Sequence, residues 1–176
     1  MALALRAQLP AAGAIAMVRV STYQAALTLC DKSAPHTVAD AKFSLQFCVA
    51  SALLHGRVGL AEFSDAALAN TALRALLPRI EVALDTAREA AYPARWSATV
   101  SVTLTDGRTF QAAQEHPKGD PENPLTEAEL EAKFRGLAAA GGVSAAHTER
   151  LLDWLRELAS PAPLDLLPLR DAARSP

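Results

Sequence analysis

Apolar positions along the chain recur with two periods. Ile15-Ala-Met-Val-Arg-Val-Ser-Thr-Tyr23 is β-branched and partly alternating, and Arg79 to Leu84 alternates. Trp96 to Thr105 sets Ala98, Val100, Val102 and Leu104 against Ser97, Thr99, Ser101 and Thr103. A period of two puts one set of side chains on each face of a strand. Asp106-Gly107 follows, a strong hairpin signal, and predicts a return strand from Arg108 to about Gln114. Between these segments the spacing is helical. A helix over Ala2–Leu9, uncapped at its start, stops at Pro10, and a second covers Gln24–Cys30. Ser64 and Asn70 cap two short helices, the second closed by Pro78. Thr126 and Glu129 form a capping box for a helix from Glu127 to about Ala139. Ser144 caps a last amphipathic helix with Leu151, Leu152, Leu155 and Leu158 on one side. Asp31–Thr37 and Gly119–Pro124 read as turns or loops, and Asp85–Tyr92 as a loop or a fraying helical turn.

Asp40 to Leu54 is the most informative segment. Asp40 is placed to cap it, and from Phe43 onward apolar residues occupy every side. A helix that is apolar all round is a buried one. Gly56 stands where a left-handed terminator belongs. Only the first turns are polar, with Asp40, Lys42, Ser44 and Gln46, so that end is expected to face solvent or a cavity. Locally paired strands separated by runs of helix predict an α+β fold. The expected form is a two-layer sandwich of about four mainly antiparallel strands with helices on one face. The domain is expected over residues 1–160, with a loose Pro-rich tail over 161–176.

Composition narrows the functions. The chain has 176 residues, 51% of them hydrophobic, which is no composition for a disordered chain. A formal charge of −2 leaves no basic surface with which to displace counterions, so nucleic acid is not expected as a partner. No apolar run reaches the roughly 18 residues of a membrane span, and Arg6 interrupts Met1-Ala-Leu-Ala-Leu too early for a signal peptide. Two cysteines, Cys30 and Cys48, fit a reducing cytoplasm and are too few for an iron–sulfur cluster. Phosphate-binding glycine loops, zinc-protease and nucleophile-elbow motifs are missing, and no two of His36, His55, His116 and His147 are spaced as a helical metal pair. Neither a metal nor a cofactor is therefore expected.

Two segments carry a resemblance. Asp40-Ala-Lys-Phe-Ser-Leu-Gln-Phe-Cys-Val-Ala-Ser-Ala-Leu-Leu-His-Gly56 continues into Arg57-Val-Gly-Leu-Ala-Glu-Phe63. Lys118-Gly-Asp-Pro-Glu-Asn-Pro-Leu-Thr126 is followed by Leu130-Glu-Ala-Lys-Phe-Arg135. In this order they resemble the carboxyl-terminal domain of the MmgE/PrpD family, which includes 2-methylcitrate dehydratase, cis-aconitate decarboxylase and iminodisuccinate epimerase. The resemblance runs from Ala2 to about Leu158. It implies a metal-independent lyase or isomerase acting on small di- or tricarboxylates, as in propionate metabolism, in a cytoplasmic homo-oligomer, usually a dimer. It also implies that the acid–base histidines, an Asp and the lysines belong to a helical domain outside these residues. No catalytic residue is expected in this chain, which should be inactive alone and complete its site with a helical domain or second subunit.

What the chain is expected to supply is a substrate-binding wall. The free N–H groups and positive dipole end of the Asp40–Leu54 helix suit a carboxylate. Lys42 adds a cation, Ser44 and Gln46 add hydrogen-bond donors, and Phe47 aligns where relatives often place a Tyr. Against each stands a plainer role: a solvated lysine, local backbone bonds for Ser44 and Gln46, and core for Phe47. Trp96 and Trp154 read as core or interface anchors, and the charges of Glu127–Arg135 as a solvated helix face. The competing reading of the whole chain is a non-catalytic dimerisation or interaction module, or a truncated remnant.

Overall fold

A computed structural model describes residues 1–10 and 14–158. The tail expected over 161–176 lies outside them. The chain divides into two compact units, Met1–Asn123 and one that starts at Pro124, so the expected 1–160 domain takes in both.

The first unit is built on a four-stranded sheet. Strand β1 (Ile15–Thr22) is central, flanked by β2 (Ile80–Leu84) and β3 (Ala98–Leu104), with β4 (Thr109–Gln114) outside β3. β1–β3 and β3–β4 are antiparallel, whereas β1–β2 is parallel. The expected α+β sheet is thus present, and one of its pairs is parallel for a topological reason. All the helices from Gln24 to Leu76 lie between β1 and β2, and a crossover of that kind returns the chain in the same direction.

Register explains the core. Ile80, Val18, Val102 and Phe110 stand side by side across the four strands, and Val82, Val20, Val100 and Ala112 form the next row. These rows belong to one buried cluster with Leu5, Phe47, Leu53, Leu73 and Leu77, so helices cover this face. Glu81, Arg19, Ser101 and Gln111 make the polar row on the reverse face. The partial alternation of Ile15–Tyr23 also has a cause. Register slips between Ile15 and Met17, and this bulge lets odd-numbered Ile15 turn inward opposite Leu104 beside even-numbered Val18 and Val20. At the β3–β4 turn, Leu104 N–H donates to Arg108 O and Gly107 takes φ +87°, the left-handed position of a three-residue hairpin loop.

The helices of this unit are α1 (Ala2–Arg6), α2 (Gln24–Cys30), α3 (Val38–Lys42), α4 (Leu45–His55), α5 (Asp65–Leu68), α6 (Thr71–Leu76) and α7 (Thr86–Ala91). Ser64 and Asn70 cap α5 and α6 as expected. Asp85–Tyr92 forms α7 because the Asp85 carboxylate accepts from the N–H groups of both Ala87 and Arg88. The expected continuous Asp40–Leu54 helix is two helices. Thr37, not Asp40, caps the first, in a box whose third residue is Asp40. Ser44 caps the second with an extended backbone (φ −116°, ψ 111°), so the helical path cannot run through it. The body of α4 is buried as expected, and Gly56 ends it at φ +69°.

The second unit is a helical hairpin of α8 (Glu127–Ala140) and α9 (Ala145–Glu157), with the expected caps at Thr126 and Ser144. The charges of α8 do more than solvate it. Arg135 bridges Glu131 and Glu149 at 3.1 and 2.7 Å, and Arg156 of α9 pairs with Glu131. No helix of the described residues is long and apolar enough to cross a membrane.

Candidate functional site

The expected carboxylate-binding end lies at the break between α3 and α4. Its groups are drawn together, but largely by one another. Ser44 Oγ accepts from Phe47 N–H at 3.0 Å and donates to Lys32 O at 2.7 Å, so both its functions are taken. Gln46 is buried, and its Nε2 donates to Asp31 Oδ1. Lys32 Nζ reaches Asp40 Oδ1 at 3.2 Å, and the Cys48 thiol donates to Ala41 O at 3.8 Å. The 31–37 loop is therefore clasped to the first turn of α4. At Gln46 the chain's own Asp31 carboxylate takes the position expected for a bound one.

Phe47 is fully enclosed, its ring 5.8 Å from that of Phe63, so it belongs to the core face of α4. Lys42 is exposed and forms no ion pair among the described residues, and Phe43 beside it is 57% exposed. Of the four expected substrate contacts, Lys42 alone faces solvent. Ser44 and Gln46 hold the end together, and Phe47 anchors it from below. One acceptor is left over. Gln46 Oε1 is buried with no partner among the described residues, and Ser51 Oγ, also buried on α4, is in the same condition.

Electrostatics follow from these bonds. Hydrogen bonds from Thr37 and then Lys32 hold the Asp40 carboxyl below its ordinary value. Burial, with Cys30 nearby, pushes the Cys48 thiol up to about 11. Such a thiol is almost wholly protonated at neutral pH and is no nucleophile.

Three further groups escape a reading by spacing alone. Glu62 is buried. Desolvation raises its pKa, but the Gly59 N–H at 2.8 Å and Arg57 Nε at 2.6 Å outweigh it and the net shift is downward. It lines a cavity of about 300 Å³ with His55, Arg57, Ser64 and Asn70, at the opposite end of α4. His116, Asp120 and Glu122 bring ligand atoms within 4.8 Å of one another. Among the described residues this is the one grouping with the donor set for a cation; the turn expected from the sequence, Gly119–Pro124, holds Asp120 and Glu122 but not His116. The grouping lies on a partly exposed loop where His116 Nδ1 and a Glu122 carboxylate oxygen stand 3.9 Å apart. Tyr23 and Tyr92 stack at 4.5 Å with the Trp96 ring about 6 Å from each. Trp96 is 54% exposed, so it is not core.

Fold and site define an α+β domain whose helix break exposes Lys42 and which contains no assembled acid–base constellation among the described residues. The chain belongs to the MmgE/PrpD family: the family model of the MmgE/PrpD C-terminal domain matches residues 1–158. No curated protein matches the chain.

Proposed function

We propose that this chain supplies the α+β wall of a lyase or isomerase that acts on small di- or tricarboxylates without a metal, the acid–base groups coming from a helical domain elsewhere. Membership of the MmgE/PrpD family carries this reading. Lys42 supports it, because an unpaired, exposed ammonium beside the start of an 11-residue helix attracts carboxylate from two sources, its own charge and the helix dipole. Phe43 offers an apolar neighbour to the carbon skeleton. Ser44, Gln46 and Asp31 act as positioning residues that fix the 31–37 loop and thereby Lys42. The assembled enzyme on this reading is a cytoplasmic homo-oligomer.

A test needs two components. The chain alone should turn over neither 2-methylcitrate nor cis-aconitate, and adding a separately produced family helical domain should restore activity. In that mixture Lys42→Met should raise KM with little change in kcat, as loss of uniform carboxylate binding does. Robust turnover by the isolated chain, or a Lys42→Met mixture with unchanged KM, would refute the reading. The competing reading, a non-catalytic interaction module, draws on the internal partners of Ser44 and Gln46, and it predicts no activity in any mixture.

A further inference from the structure

The loop that follows β4 gathers three side chains of the kinds that ligate metals. His116, Asp120 and Glu122 each bring one ligand atom, and these atoms lie within 4.8 Å of one another. His116 and Asp120 are half-buried, and Glu122 is exposed. Only one of the three is a histidine, so a search for histidine pairs at helical spacing passes over them.

The backbone holds the three together. The His116 carbonyl accepts from Gln114 Nε2 at 2.8 Å and from Asn123 Nδ2 at 3.0 Å, which ties the entry of the loop to its exit. Gly119 N–H donates to Asn123 O at 2.8 Å, and Asn123 N–H donates to Asp120 O at 2.9 Å. Gly119 stands at φ +107°, a conformation that a side chain would oppose. Pro117 and Pro121 fix one torsion each. Two carboxylates kept this close repel one another. A divalent cation between them replaces the repulsion with attraction and balances their two charges.

The donor set selects the ion. Magnesium and calcium take oxygen ligands, so an imidazole nitrogen points away from both. Zinc accepts imidazole nitrogen and carboxylate oxygen together, at about 2.1 Å. Tetrahedral ligands at that distance stand about 3.4 Å apart. His116 Nδ1 and a Glu122 oxygen are already 3.9 Å apart, and the Glu122 side chain is 59% exposed and free to turn inward. We infer that the loop from His116 to Glu122 is a binding site for one zinc ion, with His116, Asp120 and Glu122 as ligands and water in the fourth position. The ion braces the exit of β4 against the turn that follows it. Three ligands on a partly exposed loop, against the four of a closed structural site, place Kd on the order of 10 µM. The inference does not depend on the proposed enzymatic role.

Calorimetric titration of the full 176-residue chain, free of any purification tag, with zinc chloride tests it. One ion should bind per chain. His116→Ala, Asp120→Asn and Glu122→Gln should each weaken binding at least about ten-fold. His36→Ala and His55→Ala should leave it unchanged. Glu122→Gln alters an exposed side chain, so its far-UV circular dichroism spectrum should match wild type and separate a lost ligand from a lost fold. In NMR spectra of the imidazoles, His116 should respond to zinc before His36, His55 and His147. Magnesium or calcium in large excess should not displace the zinc. Overturning results are no saturable binding up to about 1 mM zinc, an affinity indifferent to the three ligand substitutions, or displacement of zinc by calcium, which would show that the imidazole takes no part.

Discussion

Replacing Ser44 by Ala separates a structural role for the α4 tip from a ligand-binding one. In the folded chain the hydroxyl caps Phe47 N–H and donates to Lys32 O, and Ser44 is buried. Losing an N-cap costs about 1 kcal/mol. Losing the part-buried hydrogen bond to the Lys32 carbonyl adds about another 1 kcal/mol. The expected loss for Ser44→Ala is therefore about 2 kcal/mol. Because Trp154 belongs to the second unit, a Trp154→Phe background lets Trp96 fluorescence report the first unit by itself. With a urea slope of about 2 kcal/mol per molar, the unfolding midpoint should fall by about 1 M. Ser44→Thr keeps the hydroxyl and should recover most of the loss. A Ser44→Ala midpoint within about 0.2 M of wild type would mean that the hydroxyl is free to serve a ligand, and the positioning role argued above would be withdrawn.

Two further outcomes are expected. Asp40 has a lowered folded pKa, through Thr37 first and Lys32 second, so its contribution is present above the ordinary Asp value and lost as pH falls through the folded one. The stability difference between wild type and Asp40→Asn should therefore shrink between about pH 6 and pH 3 in urea titrations, and a difference constant across that range counts against the Thr37 box. With its thiol raised to about 11, Cys48 in a Cys30→Ser variant should react with a disulfide reagent at about pH 8 as if roughly one part in a thousand were thiolate. Urea should release that reaction, and fast labelling of the folded chain would show the thiol to be accessible.

The α3–α4 region shows how the two levels of information divide. Its burial was legible, because apolar residues on every side of a segment leave no face for water. The terminator at Gly56 was legible for a backbone reason that is wholly local. The break at Phe43–Ser44 was also encoded locally, in the Thr37-Val-Ala-Asp40 box, but two capping signals seven residues apart compete. Only the bonds from Ser44 to Phe47 and Lys32 decide that both are used. The occupied state of Gln46 could not be read at all, since Asp31 is 15 residues distant in sequence and reaches Gln46 only once the loop folds back.

The chain's order of residues by itself determined the strand periods, most helix caps, the hairpin at Asp106-Gly107 and the family. Each of these rests on interactions within a few residues or on an ordered motif. Tertiary structure alone decided the parallel β1–β2 pair, the bulge that turns Ile15 inward and the Asp31–Gln46 clasp. It also decided which charges of α8 are paired. Pairing partners distant in sequence are chosen by loop closure and shared burial, and neither quantity is written in any local stretch of the chain.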